Sequence, residues 1–440
     1  MGRAKKEKDM REPLIYGIEE IRKLNESGQG AAEPHLSFVS NSKGCGSIID
    51  ISLMVPESVI LFVSPPACAR HITVYPWQRT GRVFFLEEEE KDIVTGAHLE
   101  AIEEAVREIL ACVKPAPGLL LIGASCIDRL MSSDIENLTR KLSGKYHVPM
   151  ETVWMDPVIG NAHPQQKLWY KVFSMLEDSR DLARLDAVNM IGRLRPVHKD
   201  SEFYRILRNA GIKTVRHLAQ CQTLEEFQEM GRARLNVAGV PFGIQAAKRM
   251  EARNGIPYMQ AYPTFDPDVV HEMYQNLSRC LGVPLDDGEE YRYTKKQVEK
   301  LRNLLRGKSI AVGESYAGMV NSFQMAVDLC KIGLPVKYIF CDGSIGSKKE
   351  EINWLSRNSP ETRVVMMSHP SMVQVIEKKP LKADLAIGTH EDWFYGCPDT
   401  KWITMEHVQH DTDYASINRF VSKVEECMGT GREGTDEEVI

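Results

Sequence analysis

Short apolar runs closed by glycine, proline or polar clusters recur along the chain, alternating with segments whose apolar residues return at helical spacing. Val59-Ile60-Leu61-Phe62-Val63-Ser64 is one such run, and Pro65-Pro66 ends it, which predicts a buried strand stopping at a loop. Val83-Phe84-Phe85-Leu86 predicts a second strand, followed by the acidic run 87–90, which reads as a solvated loop. After Thr95-Gly96, the residues Leu99, Ile102, Ala105, Val106, Ile109 and Leu110 mark one face of a helix. Gly118-Leu119-Leu120-Leu121-Ile122-Gly123 is a third strand.

The pattern restarts at Asp186. Residues 187–192 and 235–239 read as strands, Thr214-Val215 as a strand start, and 203–210 and 243–254 as helices ending at glycine. A charged helical connection over 294–306 leads to a third set, with strands over 309–313, 336–340, 364–367 and 383–388 and a helix over 319–331. Repeated β-α units of this kind predict an α/β fold of three Rossmann-like domains, with parallel sheets flanked by helices. The boundaries read as a flexible tail over 1–34 with one helix near 18–25, a cluster-binding domain over 35–185, a middle domain over 186–305, a C-terminal domain over 306–428 and a disordered acidic tail over 429–440.

Composition narrows the class. A chain of 440 residues exceeds one simple core. The net charge of −6 with mixed signs gives no broad basic field, so nucleic acid is not the expected partner. No apolar run approaches the roughly 20 residues of a membrane helix, and the charged start, Met1-Gly2-Arg3-Ala4-Lys5-Lys6, has no apolar signal core behind it. A cytoplasmic protein with no membrane partner is expected, and its ten cysteines then do not suggest a disulfide framework. Cys112, Cys330 and Cys341 lie in apolar surroundings and read as core residues.

Three other cysteines share a setting. Gly44-Cys45-Gly46, Pro65-Pro66-Ala67-Cys68-Ala69-Arg70 and Gly123-Ala124-Ser125-Cys126 each border an apolar run, and the last two fall at the carboxyl ends of predicted strands, the rim where open α/β sheets place their sites. They lack the paired Cys-x-x-Cys spacing of a zinc ribbon. From the pattern alone three readings stay open: ligands of an iron–sulfur cluster, inert thiols, or a thiol redox site. Arg70 reads equally as a neutraliser of cluster charge and as a solvent-facing residue.

The residues around these cysteines resemble the nitrogenase component 1 family, nearest its α-type subunit and the N-type subunit of protochlorophyllide reductase. The resemblance rests on Ser42-Lys43-Gly44-Cys45-Gly46, Ser64-Pro65-Pro66-Ala67-Cys68, Glu90-Lys91-Asp92-Ile93-Val94-Thr95-Gly96, and Ser125-Cys126-Ile127-Asp128-Arg129-Leu130 with Asp134-Ile135-Glu136. It implies that Cys45, Cys68 and Cys126 hold a [4Fe–4S] or larger P-cluster-like group, shared with a partner subunit that is either a paralogue or a second copy. It also implies a homodimeric ATP-binding iron–sulfur reductase as electron donor and a small-molecule substrate. The chain has no Gly-x-x-x-x-Gly-Lys-Ser/Thr loop of its own, so the partner hydrolyses ATP.

Departures from the family matter equally. Its cofactor-anchoring cysteine falls at about Gly239, where no thiol stands, and Cys221 lies in the preceding connection. His407 and His410 lie near the family's second cofactor ligand, and His163 near a cavity histidine; His163 reads as a loop residue capping the following helix or facing water, the alternative being proton delivery or a hydrogen bond to substrate. A second metal cofactor is therefore left open. The expected function is a nitrogenase-like reductase subunit that takes low-potential electrons through an interfacial cluster; the alternatives are a scaffold for metallocofactor assembly and a plain α/β binding protein with incidental cysteines.

Overall fold

The computed structural model describes residues 15–27, 45–68, 80–154, 164–313, 321–341, 345–378, 381–388, 399–408 and 410–429. Its strands are β1 (Ile15–Gly17), β2 (Ser58–Ser64), β3 (Val83–Glu87), β4 (Leu119–Ala124), β5 (Met150–Trp154), β6 (Ala187–Ile191), β7 (Thr214–His217), β8 (Leu235–Ala238), β9 (Tyr258–Gln260), β10 (Ile310–Val312), β11 (Val336–Cys341), β12 (Arg363–Met366), β13 (Leu385–Gly388) and β14 (Lys401–Thr404). They form three sheets in the orders β3-β2-β4-β5, β7-β6-β8-β9 and β1-β12-β11-β10-β13-β14. Every pairing is parallel except that of β1 with β12.

The continuous apolar runs of the sequence become strands covered on both faces. Along β2, Ile60 and Phe62 pack in a core with Ile48, Ile49 and Ile51 from the helix Cys45–Met54 and Trp169 from the helix Pro164–Ser174. The alternate residues Val59, Leu61 and Val63 pack with Ile102, Val106 and Ile109 of the helix His98–Cys112. Two-residue alternation between two covered faces is why this strand has no polar side. The second and third sheets share one core, in which Val188 and Val237 belong with Ile310, Val312 and Phe420.

Several expectations are refined. Residues Ile15–Glu26, read as part of a flexible tail, are instead ordered: β1 pairs with β12, and the helix Ile18–Glu26 buries Ile18 and Ile21 completely. Cys341 is buried as expected, whereas Cys330 is only partly covered and Cys112 is exposed at the end of its helix. The acidic run does not lie wholly in solvent either, because Glu88 is buried. Its amide donates to Ser64 O (3.1 Å), which carries the line of β3 past the end of β2 and turns the side chain inward.

Candidate metal centre

Each sheet changes winding direction at one point, and the residues just beyond the two strands there form its natural binding rim. In the first sheet that point lies between β2 and β4. Beyond β2, Pro65 opens a helical turn whose Cys68 amide donates to Pro65 O (2.9 Å). Beyond β4, Ser125 caps the helix Cys126–Leu130, and its amide and hydroxyl both donate to Asp128 Oδ2 (2.9 Å each). The sequence thus delivers one thiol to each side of the switch point.

Cys68 is exposed and Cys126 partly so. The Cys68 thiol is pushed above its ordinary range by partial desolvation, then by the charges of Cys126 and Glu88. The Cys68 thiolate is thus disfavoured by two neighbouring groups that carry negative charge when ionised. Thiolates so placed need a cation to coexist, and ferric and ferrous iron supply one. The rim fits an iron–sulfur group on that count.

The third cysteine opens the helix Cys45–Met54, which packs against β2, and its side chain lies outside the described residues. Arg82, which the sequence reading passed over, pins the far end of this helix. It donates from Nη1 to Leu53 O (3.0 Å), from Nη2 to Val55 O (2.6 Å) and from Nε to Ser58 O (2.7 Å). An arginine directly before an apolar strand was its only sequence signal.

Glu88, His98 and Asp128 were also missed. They are 3%, 4% and 1% exposed and lie immediately behind the thiol rim. Burial, then the charge of Asp128, raises the Glu88 carboxyl to about 7.

At the second sheet the switch point lies between β6 and β8 and carries no thiol. Gly239 follows β8 and Arg193 follows β6 by two residues. A Cβ on Gly239 would stand 2.6 Å from Arg193 Cδ and 2.9 Å from Cγ, inside van der Waals contact. Arg193 is itself 2% exposed, and its guanidinium is ion-paired with Asp411. The adjoining cavity, lined by Arg193, Val237 and Asp411 among others, holds only about 10 Å³. A large metallocofactor does not fit where the arginine stands. At the third sheet, between β10 and β13, a Cβ on Gly388 would come within 3.0 Å of Gly313 Cα, so backbone closes that point over the described residues.

Of the histidine candidates, only the His410 side chain lies among the described residues. His410 is fully packed, with its ring stacked on Phe265 at 3.9 Å between centroids, and burial drives its pKa down to about 3, so it is neutral. His407 lies in the helix Met405–Val408 with its side chain outside the described residues. His163 and Arg70 lie outside the described residues altogether.

Three doubly wound sheets with a thiol-bearing rim on the first define a class of multi-sheet α/β proteins. The family model for nitrogenase component 1 type oxidoreductase matches residues 49–396, and the chain belongs to that family. Among solved structures, nitrogenase Cp1 at pH 6.5 is similar over 93% of this chain and 98% of that one, at 15% identity and a TM-score of 0.70. Nitrogenase Cp1 at pH 5 matches over 89% and 90%, at 16% identity and a TM-score of 0.58. At these identities the likeness is one of fold. No curated protein sequence matches the chain. No helix among the described residues is long and apolar enough to cross a membrane.

Proposed function

We propose that this chain is the electron-accepting subunit of a two-component, ATP-dependent reductase. In this reading Cys45, Cys68 and Cys126 hold a [4Fe–4S] or larger cluster at an interface with a second component 1-type subunit, and a homodimeric ATP-binding iron–sulfur protein supplies the electrons. The observation that carries it is the placement of Cys68, exposed, and Cys126, partly exposed, just beyond adjacent strand ends and within electrostatic reach of one another, at the switch point of the first sheet. When bound, the cluster would supply one-electron redox chemistry at low potential.

The protein's own residues prepare that site. Ser125 and Asp128 close a capping box that fixes the backbone at Cys126. Pro65 fixes the turn that presents Cys68, and Arg82 holds the helix that begins at Cys45. Branched apolar residues on both faces of β2 and β4 exclude water behind the rim, which raises the worth of every charge interaction there. The substrate is a reducible small molecule bound beyond the cluster, away from Gly239, whose surroundings Arg193 fills. That filling also disfavours the assembly-scaffold reading in the form that stores a cofactor precursor at this point.

The test is anaerobic purification with iron and sulfide analysis and EPR of the reduced protein. Iron and acid-labile sulfide in similar amounts, lost together in Cys68→Ala and Cys126→Ala, support the reading. A folded protein without iron or sulfide after reconstitution refutes it. Repeated substrate turnover with ATP and a cognate reductase separates the enzyme from the scaffold.

A further inference from the structure

We propose that Glu88, His98 and Asp128 form a binding site for a single first-row divalent cation, separate from the cysteine-held group. The three residues come from different segments: Glu88 follows β3, His98 opens the helix His98–Cys112, and Asp128 lies in the helix Cys126–Leu130. One nitrogen or oxygen of each lies within 4.8 Å of the others, and His98 Nε2 is 3.8 Å from Asp128 Oδ1. An ion at the centre of such a triangle is at most about 2.8 Å from each atom, and small side-chain rotations close that to bonds of about 2.1 Å.

The donors are prepared for a metal. His98 Nδ1 is 3.3 Å from the carbonyl oxygen of Asp92, which can only accept, so Nδ1 carries the proton and Nε2 keeps its lone pair toward the carboxylates. A backbone carbonyl holding the distal imidazole nitrogen is the usual support of a metal-bound histidine. Ser133 Oγ, 2.9 Å from Nε2, donates to that lone pair and can rotate away from it. Asp128 Oδ2 is engaged by the Ser125 amide and hydroxyl, which orients Oδ1 toward His98.

The independent sign of a ligand is Glu88. Both of its carboxylate oxygens are buried and accept no hydrogen bond from an N–H or hydroxyl donor among the described residues, while the Asp128 carboxyl lies close enough to share a proton with it. Burying a carboxylate without a donor is costly, so the Glu88–Asp128 pair must share a proton or a cation. Two carboxylates and one imidazole suit Mn2+, Fe2+ or Zn2+ better than the all-oxygen shells of Mg2+ and Ca2+. A bound ion would tie together the three segments that border the Cys68–Cys126 rim and place positive charge behind it.

Manganese is the discriminating probe, because it favours nitrogen and oxygen over thiolate. The full chain is incubated anaerobically with Mn2+ and desalted, and retained manganese is counted by mass spectrometry and EPR. The expected result is about one Mn2+ per chain in the wild type and in Cys68→Ser/Cys126→Ser, with affinity lowered by about 100-fold in Glu88→Gln and in His98→Gln. Circular dichroism of each variant without metal checks its fold. Wild-type protein that retains no manganese overturns the proposal whatever the variants do, as does equal retention in folded Glu88→Gln. Loss of manganese in the cysteine variant would assign the ion to the thiols and overturn it too. None of these outcomes bears on whether the cysteines hold iron and sulfide.

Discussion

Placing a side chain on Gly239 tests directly whether Arg193 has taken the place of a cofactor. Gly239 does not lie in the positive-φ region, so its backbone accepts alanine and the cost comes from contact alone. The new Cβ would meet Arg193 Cδ at 2.6 Å and Cγ at 2.9 Å. Overpacking of this kind costs about 1–3 kcal/mol, and displacing the arginine would also weaken its buried pair with Asp411, where losing one partner costs about 3–5 kcal/mol. We expect Gly239→Ala to destabilise by about 3 kcal/mol in urea unfolding followed by circular dichroism. The same substitution in an Arg193→Ala/Asp411→Ala background, which lacks the clash and the Arg193–Asp411 pair, should cost at least about 1.5 kcal/mol less. If the two costs agree within about 0.5 kcal/mol, Arg193 is not what fills the position and the reasoning fails. Gly239→Cys should follow Gly239→Ala in stability and acquire no additional metal.

Further substitutions probe the rim and the core. Cys68→Ser should abolish bound iron while changing the apo-protein unfolding free energy by less than about 0.5 kcal/mol, since the residue is exposed; a large loss of apo stability would make it a packing residue. Ser125→Ala should cost about 1 kcal/mol through the lost cap and lower iron retention without touching a ligand, as read by iron analysis at graded chelator. Arg82→Met should cost about 3 kcal/mol, because three carbonyls lose a charged donor, with chemical denaturation as the check. Asp328 is raised from 3.8 to about 7, chiefly by burial, so its stabilising contribution is complete below pH 3.8 and is lost as pH rises through about 7. Asp328→Asn should therefore flatten the stability profile across that window, by up to about 4 kcal/mol at its upper end. A profile unchanged by the substitution would place the titration elsewhere.

The parts of the fold that were legible in the sequence are those with a single dominant cause. Strands β2, β4 and β6 are buried along their whole length, and complete burial leaves an apolar run that can be read without partners. The position of Cys68 and Cys126 just past two strands was legible for the same reason, since a strand end fixes where the next residue stands. Strand β5, Met150–Trp154, was not, because its edge position tolerates Glu151 and its buried Thr152 is a polar residue satisfied by Thr139, so the apolar pattern is lost. The helix Pro267–Leu281 carried an Asp266 cap, proline at its first turn and Gly282 beyond its end, signals that were present and passed over. Glu88 was hidden by its neighbours: in a run of four acidic residues only three-dimensional register tells which one turns inward. Arg193 was hidden more deeply, because its role depends on a glycine in another strand's exit.

Strand β1 has a consequence for how the chain is made. It pairs with β12 in the register Ile15 to Val365, a closure across roughly 350 residues. On a ribosome β1 must wait until β12 has been made before it can bond. Until then the outer edge of β12 and the Ile18 and Ile21 face have no cover, and an uncovered strand edge invites pairing with a neighbouring chain. The docking of β1 is thus a late step of biosynthesis that protects the newborn protein from self-association.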